Sequence, residues 1–294
     1  MLILQVRGGL GNQMFQYAAI RALSIHNKNE RIILYAECFK NDPQRDFSLN
    51  HLNLCMDVKI VNKSIIINVY RKIFNLIKKI IKQNVSCEKD VIKLYKLGFF
   101  EYLGNRNYLK IPDSAVPVKY FSSVFIDQMY FEKDKELIKN EFRVKTKPSN
   151  CNQEFLNCIG SSHPSVCIHV RRGDYLQYSN LLVCDEDYYE KAIIKMSELL
   201  ENPSFFVFSD DIEYTRKLFK HKPGFRFVDL DNPDYEELRL MYSCENFILS
   251  NSTYSWWAQF LSENRNHVIS PRYWDREQKE NRLIEKDWIL LETR

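Results

Sequence analysis

What the chain lacks narrows its class first. No stretch of its 294 residues approaches the ~18 consecutive apolar residues that a bilayer span requires. The opening segment MLILQVRGG has no basic n-region, and its apolar run breaks after six residues, which predicts no secretory signal. The eight cysteines (38, 55, 87, 151, 158, 167, 184 and 244) form no C-x-x-C pair and no Cys/His zinc spacing. Several sit inside apolar runs, as Cys167 does in SVCIHV, so they are expected to be reduced, buried thiols of a cytoplasmic protein. No Gly-Lys-Ser/Thr follows the turn RGGLGNQMF, which excludes a P-loop. No internal repeat is visible. Charge of one sign is scarce: 42 Lys+Arg against 38 Asp+Glu leave +4 at pH 7. That is too little to argue for nucleic acid as a partner, and it is compatible with an anionic small ligand.

What is present reads as an ordinary globular protein, with 45% hydrophobic and 27% charged residues. The length suggests two domains, at roughly 100–200 residues each. Aromatics reach 14%, which fits an aromatic-rich core or a cleft that stacks a base or a sugar. The chain opens with a strand (MLILQV), a turn (RGGLGN), a helix (QMFQYAAIRALSIHNK) and a second strand (RIILYAECF), the start of a parallel α/β unit. SIIINVYRKIFNLIKKIIKQ reads as a basic amphipathic helix. Ile66, Tyr70, Ile73, Ile77 and Ile80 lie near one face, with Arg71, Lys72, Lys78, Lys79 and Lys82 around the rest. Residues 65–82 are therefore either a docked helix with a solvated lysine face or a peripheral contact with the anionic inner face of a membrane. Residues 84–125 read as short strands and loops, and TKPSNCNQ as a linker.

After the linker the alternation restarts. SVCIHV, PSFFVFSDD, FRFVDL, NFILSN and HVISP read as strands, with helical patterns between them and a tail from Asp275. The expected fold class is α/β: two Rossmann-like domains, 1–150 and 151–294, facing each other across a cleft, with a last helix packing back on the first domain.

Three strands of the second half end in polar signatures: HVRRGDY, FSDD and SNSTYSWW. The carboxyl edge of a parallel sheet is where ligands bind. Arg171 and Arg172 carry planar forks that suit phosphate, and Gly173 lets the chain turn close by. A fixed cation beside a departing diphosphate stabilises the transition state more than the ground state. The competing reading is an Arg–Asp surface pair with Asp174. Ser250, Asn251, Ser252 and Thr253 offer hydroxyls and N–H groups at a helix start, either a diphosphate cradle or a plain N-cap. Asp210 suits guanine, a metal or a cap, and Asp211 suits a cap. In the first half, Gly8, Gly9 and Gly11 permit a tight turn, and Asn12 and Gln13 project from it. Gly9-x-Gly11 and Glu37 keep a nicotinamide-dependent oxidoreductase open as an alternative, although Met14 stands where a third glycine belongs. Asp229 and Asp231 form a D-x-D pair able to chelate a divalent ion.

RGGLGNQMFQYA, HVRRGDY, FFVFSDD and SNSTYSWWAQFLS, in this order between residues 7 and 262, resemble the four sequence blocks of the bacterial and animal α1,2-fucosyltransferases. Residues 40–160 carry no matching block. The resemblance implies a GT-B-like fold, a GDP-β-L-fucose donor, a galactose-terminated oligosaccharide or glycolipid acceptor, and an α1,2 link formed with inversion and without a metal. It implies that Arg171 holds the donor β-phosphate, supported by Arg172. His169 and Asp210 face guanine; Asn251, Ser252 and Thr253 bind the diphosphate; and Asn12 and Gln13 of the Gly9–Gly11 loop sit near the reacting sugar. The acceptor proton needs a base: Asp174 is the first choice, with Asp185, Glu186 and Asp187 as others. The remaining alternatives are a metal-dependent glycosyltransferase using Asp229 and Asp231 and a non-catalytic carbohydrate- or nucleotide-binding protein.

Overall fold

Short apolar runs become the strands of two parallel sheets, and the amphipathic runs between them become the covering helices. The computed structural model describes residues 1–80, 87–102, 108–220, 224–278 and 281–293. The chain divides into two compact units, Met1–Phe142 and Arg143–Arg294.

The first unit runs β1 (Leu2–Gln5), α1 (Leu10–His26), β2 (Ile32–Tyr35), β3 (Val58–Val61), α2 (Ile65–Ile80), α3 (Glu88–Tyr95), β4 (Phe99–Phe100), β5 (Lys119–Phe121) and α4 (Lys135–Glu141). Its sheet has the order β3-β2-β1-β5-β4, with every pairing parallel. Helix α1 is buried along most of its length, as its run of apolar residues predicts. Helix α3 was not expected, since residues 84–125 read as strands and loops. Val91, Leu94 and Tyr95 give it a buried face, and Gly98, at φ +87°, turns the chain from its end into β4.

Helix α2 also corrects the sequence reading. The face it packs on the sheet is Ile67, Tyr70, Phe74 and Ile77. The Phe74 ring decides this, since it stacks on Phe99 at 5.2 Å and lies 5.9 Å from Tyr120. Ile66, Ile73 and Ile80, expected on the packed face, are exposed. Residues 81 and 82 of that expected helix lie outside the described residues.

The second unit runs α5 (Asn150–Gly160), β6 (Ser165–Val170), α6 (Glu186–Leu199), β7 (Ser204–Ser209), α7 (Ile212–Leu218), β8 (Phe225–Phe227), α8 (Asp234–Tyr242), β9 (Asn246–Ile248), α9 (Thr253–Leu261), β10 (Val268–Pro271) and β11 (Ile289–Leu291). Its sheet has the order β11-β10-β9-β6-β7-β8, again all parallel. Strand β6, at the middle, is buried at every residue, as a strand covered on both faces should be. The tail from Asp275 ends in strand β11 on β10 of its own unit, where a last helix packing back on the first unit was expected. The expected linker belongs to the second unit. Arg143 pairs with Glu263 at 2.8 Å and covers the Tyr242 ring, Arg239 donates to the Thr146 carbonyl, and Ser149 caps α5. All eight cysteines are free, but only Cys167 and Cys244 are buried; Cys38 and Cys151 are exposed and the other four are partly exposed.

Phe74→Ala should destabilise the first unit by roughly 3–5 kcal/mol, since it empties the aromatic contact between α2 and the sheet. Urea unfolding followed by circular dichroism measures this, and a loss below about 1 kcal/mol would mean the helix is not anchored there.

Candidate active site

Strand β6 lies between β7 and β9 and runs parallel to both, so the three expected polar tips do meet at one edge of the second sheet. The chain moves outward from β6 through β7 to β8, then returns to the other side of β6 as β9 and continues to β10 and β11. That is the 3-2-1-4-5-6 order of doubly wound sheets, whose ligands sit where the direction reverses, between the first and fourth strands. Here the reversal lies between β6 and β9. The loop after β6 carries Arg171 and Arg172, and the loop after β9 carries Asn251 and Ser252.

Asp210, at the tip of β7, holds the arginine loop. One oxygen accepts the Arg172 backbone N–H at 2.8 Å, and the other meets Arg171 Nη1 at 2.8 Å. Gly173 is required by this arrangement, because a Cβ there would stand 2.5 Å from Asp210 Oδ2. Arg171 Nη2 also donates to Asp174 at 2.6 Å. Burial works against the Arg171 charge, while Asp210 and Asp174 favour it and leave its pKa raised. The Arg172 guanidinium carbon lies over the Tyr214 ring, 3.9 Å from its centroid, and the group pairs with Asp211 through Nε at 3.1 Å. No hydrogen bond engages its Nη atoms among the described residues, so this outer edge of the fork is open to an anion. The Asp174 pair and the Asp211 cap on α7, both anticipated as the plainer readings, are present. Asp210 engages both arginine residues of this loop.

His169 is 4% exposed. Its Nδ1 lies 2.9 Å from Ser250 Oγ and is also bonded to Ser255 Oγ. Burial, and then the neighbouring Arg171, lower its pKa to about 3, so the ring is neutral near pH 7. Through Nδ1, His169 joins β6 to the start of α9. Two tyrosines of α6 brace the same edge: Tyr188 donates to the Leu249 carbonyl at 2.5 Å and Tyr189 to the His169 carbonyl at 3.1 Å. Asn251 is buried, and its amide donates to the Leu181 and Trp274 carbonyls at 2.8 and 2.9 Å. Ser252 is the N-cap of α9 and accepts the Tyr254 N–H at 3.2 Å. The cap reading therefore holds for Ser252, and Thr253 is the first residue of α9.

In the first unit the glycine loop is shorter than expected. Gly11 lies inside α1, leaving Gly8, at φ +83°, and Gly9, the N-cap, as the turn. Gln13 does not project from it. Its amide is fully buried, donates to the carbonyls of Gly8 and Asp46 at 2.9 and 2.8 Å, and accepts the Ser48 N–H. Gln16 exchanges two bonds with the Arg7 backbone. The glutamines thus build the turn, and Asn12 lies partly exposed at its edge. Glu37, the clue for a dinucleotide, pairs with Arg71 at 3.2 Å. Asp229 of the D-x-D pair binds Arg216 at 2.9 Å, and Asp231 lies in a turn at φ +47°. Among the described residues no three Asp, Glu, His or Cys gather as a metal site. Of the other candidate bases, Asp185 caps α6, Asp187 pairs with Lys191, and Glu186 accepts from Tyr214 at 3.4 Å.

Residues 63–292 match Glycosyl transferase family 11. The chain belongs to this family. An O-antigen biosynthesis glycosyltransferase of Escherichia coli, WbnK, is 31% identical over 97% of this chain and 98% of its own length. An Escherichia coli alpha-1,2-colitosyltransferase is 28% identical over 99% of both chains. The mouse galactoside 2-alpha-L-fucosyltransferase Sec1 is 30% identical over 35% of this chain and 31% of its own. Among solved structures, fucosyltransferase NodZ from Bradyrhizobium shares the fold at a TM-score of 0.56 and 14% identity, covering 90% of this chain and 96% of that one. Family membership makes the chain a glycosyltransferase and overturns both the oxidoreductase and the non-catalytic alternatives.

One group of this family 11 glycosyltransferase was missed in the sequence. Glu237 on α8 has a pKa raised to about 7, by burial first and then by Asp210 and Asp234, with Arg171 opposing. The run DYEELRLMY showed only an acidic helix start, and nothing in its spacing separates Glu237 from its neighbours.

Gly173→Ala should lower transfer about a hundredfold, because the loop must move to clear Asp210. A melting curve close to wild type, measured beside the rate, would assign the loss to the site. Glu237 binds its proton more tightly folded than unfolded. Its contribution to stability is complete below the ordinary carboxyl range and is lost as pH rises through about 7. Glu237→Gln should therefore melt progressively higher than wild type between about pH 5 and pH 8, and a constant difference would refute the assignment.

Proposed function

We propose that the chain is an inverting α1,2-fucosyltransferase. It moves L-fucose from GDP-β-L-fucose to O2 of a galactose-type residue on an oligosaccharide or glycolipid, at the cytoplasmic face of a membrane and without a metal. The observation that carries this reading is the meeting of the arginine loop and the α9 start at the reversal point of the second sheet, in a chain of this family. The relatives named for α1,2 transfer support the linkage. NodZ, an alpha-1,6-fucosyltransferase whose structure was determined after soaking with GDP-fucose, supports the donor.

The second unit holds the donor in this reading. The open edge of Arg172 takes diphosphate oxygens, and Arg171 exchanges a carboxylate for phosphate. The N-terminus of α9, capped by Ser252, adds its positive dipole end, with Asn251 and Thr253 beside it. His169, neutral, shapes the pocket wall. As the bond between fucose C1 and the phosphate oxygen breaks, that oxygen gains charge and the arginines stabilise it, while the sugar becomes oxocarbenium-like. The acceptor O2 attacks the opposite face, inverting C1, and its proton passes to a carboxylate. Asp174 is assigned that role from its place in the arginine loop, and Asn12 of the first unit is assigned to the acceptor side with Gly9.

The test is product formation from GDP-fucose and lactose, with linkage analysis and a GDP-colitose arm. An α1,2-fucosylated product is expected, with Arg171→Ala and Arg172→Ala each losing roughly 10²–10³-fold in kcat/KM. Asp174→Asn should abolish transfer where Glu237→Gln does not, and the reverse result reassigns the base. No fucosyl product, or another linkage, overturns the reading. Activity lost with EDTA and restored by Mn²⁺ would replace it with the Asp229/Asp231 metal mechanism.

A further inference from the structure

Helix α2 has two apolar faces, and its own sheet uses one. Ile67, Tyr70, Phe74 and Ile77 pack inward. Ile66, Val69, Ile73, Leu76 and Ile80 form a second stripe at alternating spacings of three and four, and they are 71%, 48%, 44%, 58% and 71% exposed. Isolated exposed aliphatics are ordinary, but a continuous stripe along a helix marks a docking surface. The charges on the helix name its occupant. Residues 65–80 contain four basic side chains and no acidic one. Arg71 pairs with Glu37 and Lys78 with Glu101, so these two serve the packed side. Lys72 and Lys79, one heptad apart, remain exposed beside the apolar stripe, and Lys63 is exposed just before the helix.

We propose that this stripe seats the enzyme on an anionic lipid surface. The five aliphatics enter the headgroup–acyl boundary while Lys72 and Lys79 reach the phosphates, as in interfacial helices. The alternating spacing is also that of a coiled-coil seam, which would admit a second copy of the chain. Charge argues against it. An antiparallel pair sets Lys72 against Lys79 of its partner with no acid on either helix, and a parallel pair sets Lys72 against Ile77, which is packed on its own sheet.

The test is co-sedimentation of the full chain with vesicles of phosphatidylcholine alone or with about 30% phosphatidylglycerol. Wild type should pellet with the anionic vesicles and be released by salt. Lys72→Gln/Lys79→Gln should weaken binding about thirtyfold at low salt. Ile73→Ser/Leu76→Ser should abolish it, with unchanged melting curves showing that both variants fold. Failure of wild type to pellet, or variants that pellet as wild type does, overturns the proposal. So does a vesicle-free dimer that Ile73→Ser/Leu76→Ser converts to monomer, which would assign the stripe to a second copy. None of these readouts depends on which sugar the enzyme transfers.

Discussion

The carboxylate of Asp210 is the constraint on which the rest of the site depends. It bonds at once to the backbone of the arginine loop and to one of the loop's guanidinium groups. A single side chain on β7 thereby sets both the path of the chain after β6 and the direction of Arg171. Gly173 is the sequence counterpart of that contact, since any larger residue would strike the same oxygen. Beneath it, His169, Ser250 and Ser255 tie the neighbouring strand end to α9, and the α6 tyrosines hold the carbonyls on either side. The strand ends beneath the tips are cross-linked, because the polar groups there bond to one another.

Much of this was legible in the sequence, and the exceptions share a cause. The α/β alternation, the two units and the three converging tips follow from apolar run length and from the rule that parallel strands share one functional edge. Side-chain roles were harder to read. Gln13 and Asn251 have polar groups suited to a ligand, yet their amides bond to the protein's own backbone, because a sharp turn or a buried strand end leaves backbone groups that need partners. Residue type does not reveal which demand is met. The misplaced face of α2 has a similar origin. With isoleucines almost all round, periodicity allows two stripes, and the aromatic stack of Phe74 on Phe99 selects one. Glu237 was invisible because its distinction arises from surroundings supplied by other elements.

The two units treat their loops differently. In the first, glutamine amides inside α1 fasten a glycine turn that has no charged side chain of its own between Gly8 and Met14. In the second, ions do the fastening. A turn held by neutral amides keeps its shape whatever charge arrives nearby, whereas a loop held by ion pairs responds to it.

That response follows from the balance around the arginines. Arg171 and Arg172 are countered by Asp174, Asp210 and Asp211, so the resting edge has no surplus of positive charge. Such an edge exerts little long-range pull on passing anions. In the proposed donor-binding role, selectivity would come from exchange: a ligand gains a guanidinium only by displacing a carboxylate that already fits it, which a lone inorganic phosphate does less well than a nucleotide bringing further contacts of its own.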